Sequence, residues 1–259
     1  MLGAIAGDVI GSVHEFGPQL AEDFTLFAAD SGPTDDSVLT VAVAQAILDR
    51  EHYATAIRAW ARRYPDGNYG VRFVRWMLSD DSGPYQSYGN GSAMRVSPAG
   101  WIHDTLEATL AEARRTAEVT HDHPEGIRGA EATAGAIFIA RTGGSRSAVR
   151  DLVHGRFGYD TTLTMERMRA EARMDETCQG TVPQALSIAL MSTSVEDAIQ
   201  KAVSLGGDAD TLGCIAGSVA EAIHGGVPRA LAERVLAHLD PEMRSVTERF
   251  VRRYGVPIA

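Results

Sequence analysis

Cysteine is nearly absent from this chain: Cys178 and Cys214 are the only two among 259 residues. Two thiols cannot staple a chain of this length, so free thiols in a reducing compartment, the cytoplasm, are expected. Basic residues are also in deficit, 24 Lys and Arg against 34 Asp and Glu for a formal charge of −10, with no long basic stripe. Nucleic acid is therefore not expected as a partner, because its phosphates need a positive footprint. No apolar run approaches the roughly 18 residues of a membrane span. The opening Met1–Asp8 has no basic region and meets a carboxylate early, unlike a secretory signal. No Gly-x-Ser-x-Gly elbow occurs, and no Lys-Ser/Thr follows a glycine-rich loop at phosphate-loop spacing, which excludes those two catalytic plans. Proline is scattered and glycine sits in motifs rather than in a linker, so residues 1–259 read as a single domain, expected to be monomeric.

What the chain does have is helical periodicity. Apolar residues recur at three and four, Ala, Leu, Arg and Glu abound, and no strand pattern persists, which predicts an all-α fold. Helices are predicted over residues 2–14, 37–50, 53–63, 70–78, 105–120, 124–141, 145–153, 163–174, 183–191, 195–204, 211–224, 230–237 and 241–254. Glycine inside a helix costs about 1 kcal/mol relative to Ala, so its placement is informative. Gly3, Gly7 and Gly11 share one face of the first helix, and Gly213 and Gly217 share one face of a late one. Such faces allow close helix approach and would bring Glu15, at the end of the first helix, near whatever the late helix carries.

Two acidic clusters stand about 170 residues apart, Thr34-Asp35-Asp36-Ser37 and Gly206-Gly207-Asp208-Ala209-Asp210-Thr211. Each opens into a long apolar run, and N-capping is the ordinary job of Asp and Thr there. The alternative is an oxygen-only cage for Mg²⁺, Mn²⁺ or Ca²⁺, ions that prefer carboxylate and hydroxyl ligands. Asp208 and Asp210 could converge on one ion only from a non-helical turn, which Gly206-Gly207 would permit.

Three further stretches carry signals. Ser87-Tyr88-Gly89-Asn90-Gly91-Ser92 reads as a plain turn or, if its glycines take positive φ, as a nest of N–H groups for a phosphate. The Arg95 that follows could supply a cation or pair with an Asp. Thr120-His121-Asp122-His123-Pro124 opens a helix, with Thr120 or Asp122 as cap and His121 as a second-choice ligand contact.

The series Gly3-Ala4, Gly7-Asp8, Gly11, Glu15, Thr34-Asp35-Asp36-Ser37, Gly89-Asn90-Gly91, Met94-Arg95, Pro98, Thr120-His121, Cys178, Thr181-Val182-Pro183 and Ser204–Gly213 resembles the ADP-ribosylglycohydrolase family. The resemblance implies an orthogonally packed, compact multi-helix domain with two Mg²⁺ (or Mn²⁺) ions, acting on an ADP-ribosylated protein or an ADP-ribose derivative. It implies that Thr34, Asp35, Asp36, Asp208, Asp210 and Thr211 hold the metals. Glu15, Ser87, Tyr88, Gly89, Asn90, Gly91, Ser92, Met94, His121 and Gly207 would contact the nucleotide. Asp35 or Asp36, with Glu15 next, would move the proton as in other glycoside cleavages. The implied reaction is cleavage of ADP-ribose from a side chain, arginine favoured. The alternatives are an ADP-ribose-binding protein with weak turnover, or a hydrolase of a small derivative such as O-acetyl-ADP-ribose. Tyr88 and Phe16 are the aromatic candidates for an adenine.

Overall fold

A computed structural model describes residues 1–259. In chain order the helices are α1 (Leu2–Gly11), α2 (Asp35–Asp49), α3 (Tyr53–Arg63), α4 (Val71–Met77), α5 (Gly91–Met94), a 3-10 turn (Ser97–Trp101), α6 (Leu106–Glu118), α7 (Pro124–Arg141), α8 (Arg146–Phe157), α9 (Met165–Glu171), α10 (Cys178–Met191), α11 (Val195–Val203), α12 (Ala209–Ile223), α13 (Arg229–His238) and α14 (Pro241–Tyr254). No sheet forms; two isolated bridges, Gly89 with Thr177 and Val227 with Ile258, are the only extended pairings. No helix is long and apolar enough to cross a membrane.

The centre is α1 lying antiparallel against α12. All ten residues of α1 are buried, as are fourteen of the fifteen in α12, so neither helix has a solvated face. Glycine makes the contact possible. A Cβ on Gly3 would lie 2.2 Å from the Gly217 carbonyl oxygen, and one on Gly7 would lie 2.0 Å from that of Gly213. A Cβ on Gly11 would lie 2.4 Å from the Asp210 Cα. Side chains are thus excluded from the seam, and backbone packs on backbone. Glu221, fully buried on α12, accepts hydrogen bonds from the N–H groups of Leu2 (3.2 Å) and Gly3 (3.1 Å) and pairs with the Met1 amine. Its carboxylate satisfies orphan donors at the N-terminus of α1 and complements the dipole there. The helices α2, α7, α10, α11 and α13 enclose this pair.

The predicted helices are present, with several boundaries corrected. The first ends at Gly11 rather than His14, because the chain turns away to pair with the late loop: Phe16 N–H donates to the Gly207 carbonyl (2.8 Å) and Leu20 N–H to that of Ser204 (2.9 Å). Glu15 therefore lies in this turn, beyond the helix. The 163–174 helix shortens to α9, its start fixed by the Thr164 cap, which accepts from Arg167 N–H (3.2 Å), and its end at Glu171, where Ala172 leaves the helical region. The 145–153 helix runs on to Phe157, where Gly158 closes it at φ 71°. The 183–191 helix begins five residues earlier, at Cys178, with Pro183 inside it. Thr177 caps its start, and Cys178 N–H donates to the Tyr88 carbonyl (2.9 Å), so the first turn is secured before the proline is reached. Neither Thr120 nor Asp122 caps α7. His123 does, through Nδ1 to Glu125 N–H (3.1 Å), while Asp122 accepts from Gln86.

Gly7→Ala should lower stability by about 3 kcal/mol or more, because the new methyl overlaps backbone that cannot move aside. Gly155→Ala, in α8 with nothing within 4 Å of the added Cβ, should raise it by about 0.5–1 kcal/mol. Urea midpoints of the two variants provide the comparison; similar midpoints would contradict close approach as the reason for glycine in α1.

Candidate active site

Helices α2 and α12 start side by side, and the acidic clusters are their first turns. Thr34 caps α2 by accepting from Asp36 N–H (3.3 Å). Its hydroxyl donates to Asp8 Oδ1 (2.6 Å) and lies 3.4 Å from Asp210 Oδ2. Asp208 stands at the N-cap position of α12 but makes no capping bond; its Oδ2 accepts from Asn90 Nδ2 (2.6 Å). Capping thus accounts for Thr34 and not for Asp208. Gly206 and Gly207, at φ 71° and 67°, form the left-handed turn that lets Asp208 face the same side as Asp210.

Folding gathers the carboxylates into two trios. Oxygens of Asp8, Asp36 and Asp210 lie within 4.8 Å of one another, and so do oxygens of Glu15, Asp208 and Asp210. Asp210 belongs to both. Thr211 Oγ1 donates to Asp36 Oδ2 (3.2 Å), joining the two helix starts, while Asp36 Oδ1 is buried without a partner. Asp35 belongs to neither trio; it is half-buried and lines the cleft above them. Asn68, itself at φ 63°, donates from Nδ2 to Glu15 Oε2 (3.1 Å) and so steadies Glu15 in its turn.

Asp8 was not singled out as a site residue in the sequence, although its signal was present. It is the one charged residue in an otherwise apolar helix, and a charge in a fully buried segment must be paired. Asp8 accepts from Thr34 N–H (3.0 Å), Thr34 Oγ1 and Ser37 N–H (3.0 Å), which tie α1 to the start of α2.

So many acids in one buried place perturb each other. Burial first, then the neighbouring carboxylates, holds Asp35, Asp36 and Asp210 well above the ordinary carboxylate range. Asp8, Asp208 and Glu15 are raised chiefly by burial, opposed by hydrogen bonds from Ser37 and Thr34, from Asn90, and from Asn68 respectively. These directions mark carboxylates that call for compensating positive charge close by, from a proton or a cation.

Glu15, Asp36, Asp208 and Asp210 of the trios line a cleft of about 320 Å³, with Asp8 fully buried outside its lining; the walls also include Leu39, Tyr85, Ser87, Gly89, Gly91, Met94, Arg95 and His121. Two larger clefts, 620 and 800 Å³, lie elsewhere and contain none of these carboxylates. The Gly-Asn-Gly segment is not a positive-φ nest: Asn90 is right-handed helical (φ −70°, ψ −9°) and leads into α5. Gly91 is small for another reason, since a Cβ there would lie 3.2 Å from His121 Nε2. Asn90 spends its amide on Asp208 and on Thr181 Oγ1 (3.0 Å), so it braces the acidic floor. Ser92 Oγ donates away from the cleft to the Gly126 carbonyl (2.7 Å), and Tyr88 turns its ring against His123. Thr34, Tyr88, Ser92 and Gly207 are not among the cleft walls.

His121 and Arg95 also line the cleft. Arg95 is fully buried and pairs with no Asp. Its Nη2 donates to the Thr116 carbonyl (2.9 Å) and Thr120 Oγ1 (2.7 Å), and its Nε and Nη1 have no partner. Thr120 Oγ1 lies 2.7 Å from His121 Nδ1. Since that hydroxyl already accepts from Arg95, its own proton is available to His121 Nδ1, which leaves Nε2 to carry the ring proton towards the cleft. Burial, then the charges of Arg95 and Arg72, pushes His121 well below its usual range, so it is neutral.

Comparison with known proteins agrees with this architecture. The family model described as ADP-ribosylglycohydrolase matches residues 1–257. The chain is 26% identical to an ADP-ribosylarginine hydrolase, Tri1, of Pseudomonas putida, over 91% of this chain and 72% of that one. It is 26% identical to the ADP-ribosylhydrolase ARH3 of Xenopus tropicalis, over 87% and 86% of the two chains. With the ADP-ribosyl-[dinitrogen reductase] glycohydrolase of Rhodospirillum rubrum it shares 25% identity over 98% and 95%. A solved structure titled ADP-ribosylglycohydrolase-related protein complex has the same fold, with TM-score 0.70, 23% identity and 97% of this chain covered.

A carboxyl whose folded pKa is raised above its unfolded value of 3.8 binds its proton more tightly in the folded state. In the cation-free protein these groups therefore contribute stability that is fully present below that value and is lost as pH rises through the raised pKa values. In EDTA the melting temperature should fall from about pH 5 to about pH 8, and Mg²⁺ or Mn²⁺ should restore it. Asp36→Asn should raise the EDTA value by about 2–4 °C, the effect of about 1 kcal/mol in a chain of this size, and remove most of the cation response. A wild-type melting curve indifferent to both ions would rule out the cation site.

Proposed function

This chain belongs to the ADP-ribosylglycohydrolase family, and from that premise we propose that it is a divalent-cation-dependent hydrolase releasing ADP-ribose from a modified protein side chain, arginine foremost. The observation that carries the reading is the pair of carboxylate trios sharing Asp210 beside a cleft that the buried Arg95 and the neutral His121 also line. An anionic nucleotide could hardly enter an acidic cleft without charge of the opposite sign there. The name of the Pseudomonas putida relative favours arginine as the acceptor.

The residues fit a hard divalent ion. The donor set is oxygen only, Asp36 Oδ1 is buried without a partner, and the clustered carboxylates repel one another unless a cation or proton intervenes. Asp8, Asp36 and Asp210 would hold one Mg²⁺ or Mn²⁺, and Glu15, Asp208 and Asp210 a second, with Thr34 and Thr211 fixing the carboxylates. Such ions supply Lewis-acid polarisation and a readily deprotonated water.

The protein's own groups do the rest. Asp35, half-buried, raised in pKa and outside both trios, is the carboxyl free to move a proton between water and the departing side chain, with Asp36 and Glu15 engaged in the trios. His121 Nε2 donates to the bound nucleotide, Ser87, Gly89 and Gly91 line its path, and the unpaired Nε and Nη1 of Arg95 offer positive charge to its diphosphate. As the glycosidic bond breaks, positive charge develops at the ribose carbon, and the acidic floor stabilises it. We further propose that residues 1–259 work as a single domain.

ADP-ribose release should require Mg²⁺ or Mn²⁺, with arginine-, serine- and ester-linked substrates compared side by side. Asp36→Asn and Asp35→Asn should each cost roughly 10²–10⁴-fold in kcat, the range for loss of an acid–base or charge-stabilising group. Full activity in excess EDTA would refute the proposal.

A further inference from the structure

Six large apolar side chains are well exposed in the whole protein, and three of them, Phe16 (68% exposed), Val71 (69%) and Met174 (39%), stand on the walls of this one cleft. They are held at its carboxylate end. Phe16 follows Glu15 directly, and its N–H is bound to the Gly207 carbonyl (2.8 Å). Met174 lies across the same glycine, its Cα 3.6 Å from where a Gly207 Cβ would be. Val71 opens α4, three residues after the Asn68 that holds Glu15. Phe16 is doubly unfavourable where it stands: its ring meets water, and its backbone sits at φ 60°, a region that disfavours bulky side chains. Folding gains nothing from that combination.

Resting on the hydrolase reading above, we propose that Phe16, Val71 and Met174 form a collar that receives the modified protein itself, an extended segment placing an apolar residue beside the modified side chain. The scissile carbon must lie over the carboxylates, so the polypeptide attached to it leaves the cleft at this end and no other. Glu176, an acidic residue of the same cleft that belongs to neither trio, suits a cationic acceptor side chain, while the collar offers apolar area to its neighbours. The nucleotide contacts proposed above fall to other residues of the cleft, His121 and Arg95. The collar thus separates recognition of the acceptor protein from recognition of ADP-ribose.

The test uses three substrates carrying whichever linkage the panel shows to be cleaved: the free modified amino acid, a peptide with leucines flanking it, and the same peptide with Gly and Ser flanks. The wild-type protein should favour the leucine peptide over the Gly/Ser peptide by about tenfold in kcat/KM, chiefly through KM. Phe16→Gly should erase that preference and leave the free amino acid unchanged. It should also fold at least as stably, because glycine is unstrained at this φ. Val71→Ser and Met174→Ser should each reduce the preference in part. Equal treatment of the two peptides by the wild-type protein would overturn the collar. So would an equal loss on the free amino acid in Phe16→Gly, which would assign the ring to ADP-ribose itself. No turnover of any linkage in the panel by the wild-type protein would sink the hydrolase reading, and the collar with it.

Discussion

The contact on which the rest of the molecule depends is the backbone-to-backbone approach of α1 and α12. Five glycines, three on one helix and two on the other, sacrifice helix propensity of about 1 kcal/mol each so that carbonyls of one helix can touch the other. Because the pair is antiparallel, the C-terminal end of α1 meets the N-terminal end of α12. Asp8 and the Glu15 turn are thereby delivered to Asp208 and Asp210. A single methyl on this seam would push the helices apart and open both trios.

That geometry also creates a conflict within the fold. Two helix N-termini, with their partial positive charge, face the carboxylates and relieve some of the repulsion, as do hydrogen bonds from Thr34, Ser37, Asn90 and Thr211. Burial and mutual repulsion nevertheless hold Asp36 and Asp210 in their protonated direction. The packing that fills the core has been used to hold together groups that would otherwise separate. Strain of this sort, like the left-handed Phe16 and the exposed apolar rim, is concentrated around one cleft, as expected where local consistency is given up for function.

Much of the architecture could be read along the chain, for identifiable reasons. The helical period and the capping residues mark nearly every helix, and the glycine spacing in α1 and α12 predicts their contact. Boundaries failed where tertiary bonds overrode local signals. The Phe16 and Leu20 N–H groups pair with the 204–207 loop and so end α1 early, and the bond from Cys178 to Tyr88 starts α10 before Pro183. Of the two readings of the Gly-Asn-Gly segment, turn or nest, the nest fails because Gly91 answers to the His121 ring rather than to φ. Asp8 went unselected because a lone carboxylate has no spacing partner in its own helix; its partners are 26 to 202 residues away.

The sequence by itself determined the helical class, the family, and which two stretches bear the paired acids, since periodicity, glycine spacing and ordered motifs are local properties of the chain. Only the tertiary structure decided which oxygens share a site, that Asp208 does not cap its helix, that Asp35 stands apart from the trios, and that Asn90 braces the floor. It also decided where the apolar collar lies. Those facts depend on distances between residues far apart in the chain, and such distances are set by how closely one glycine-faced helix can approach another.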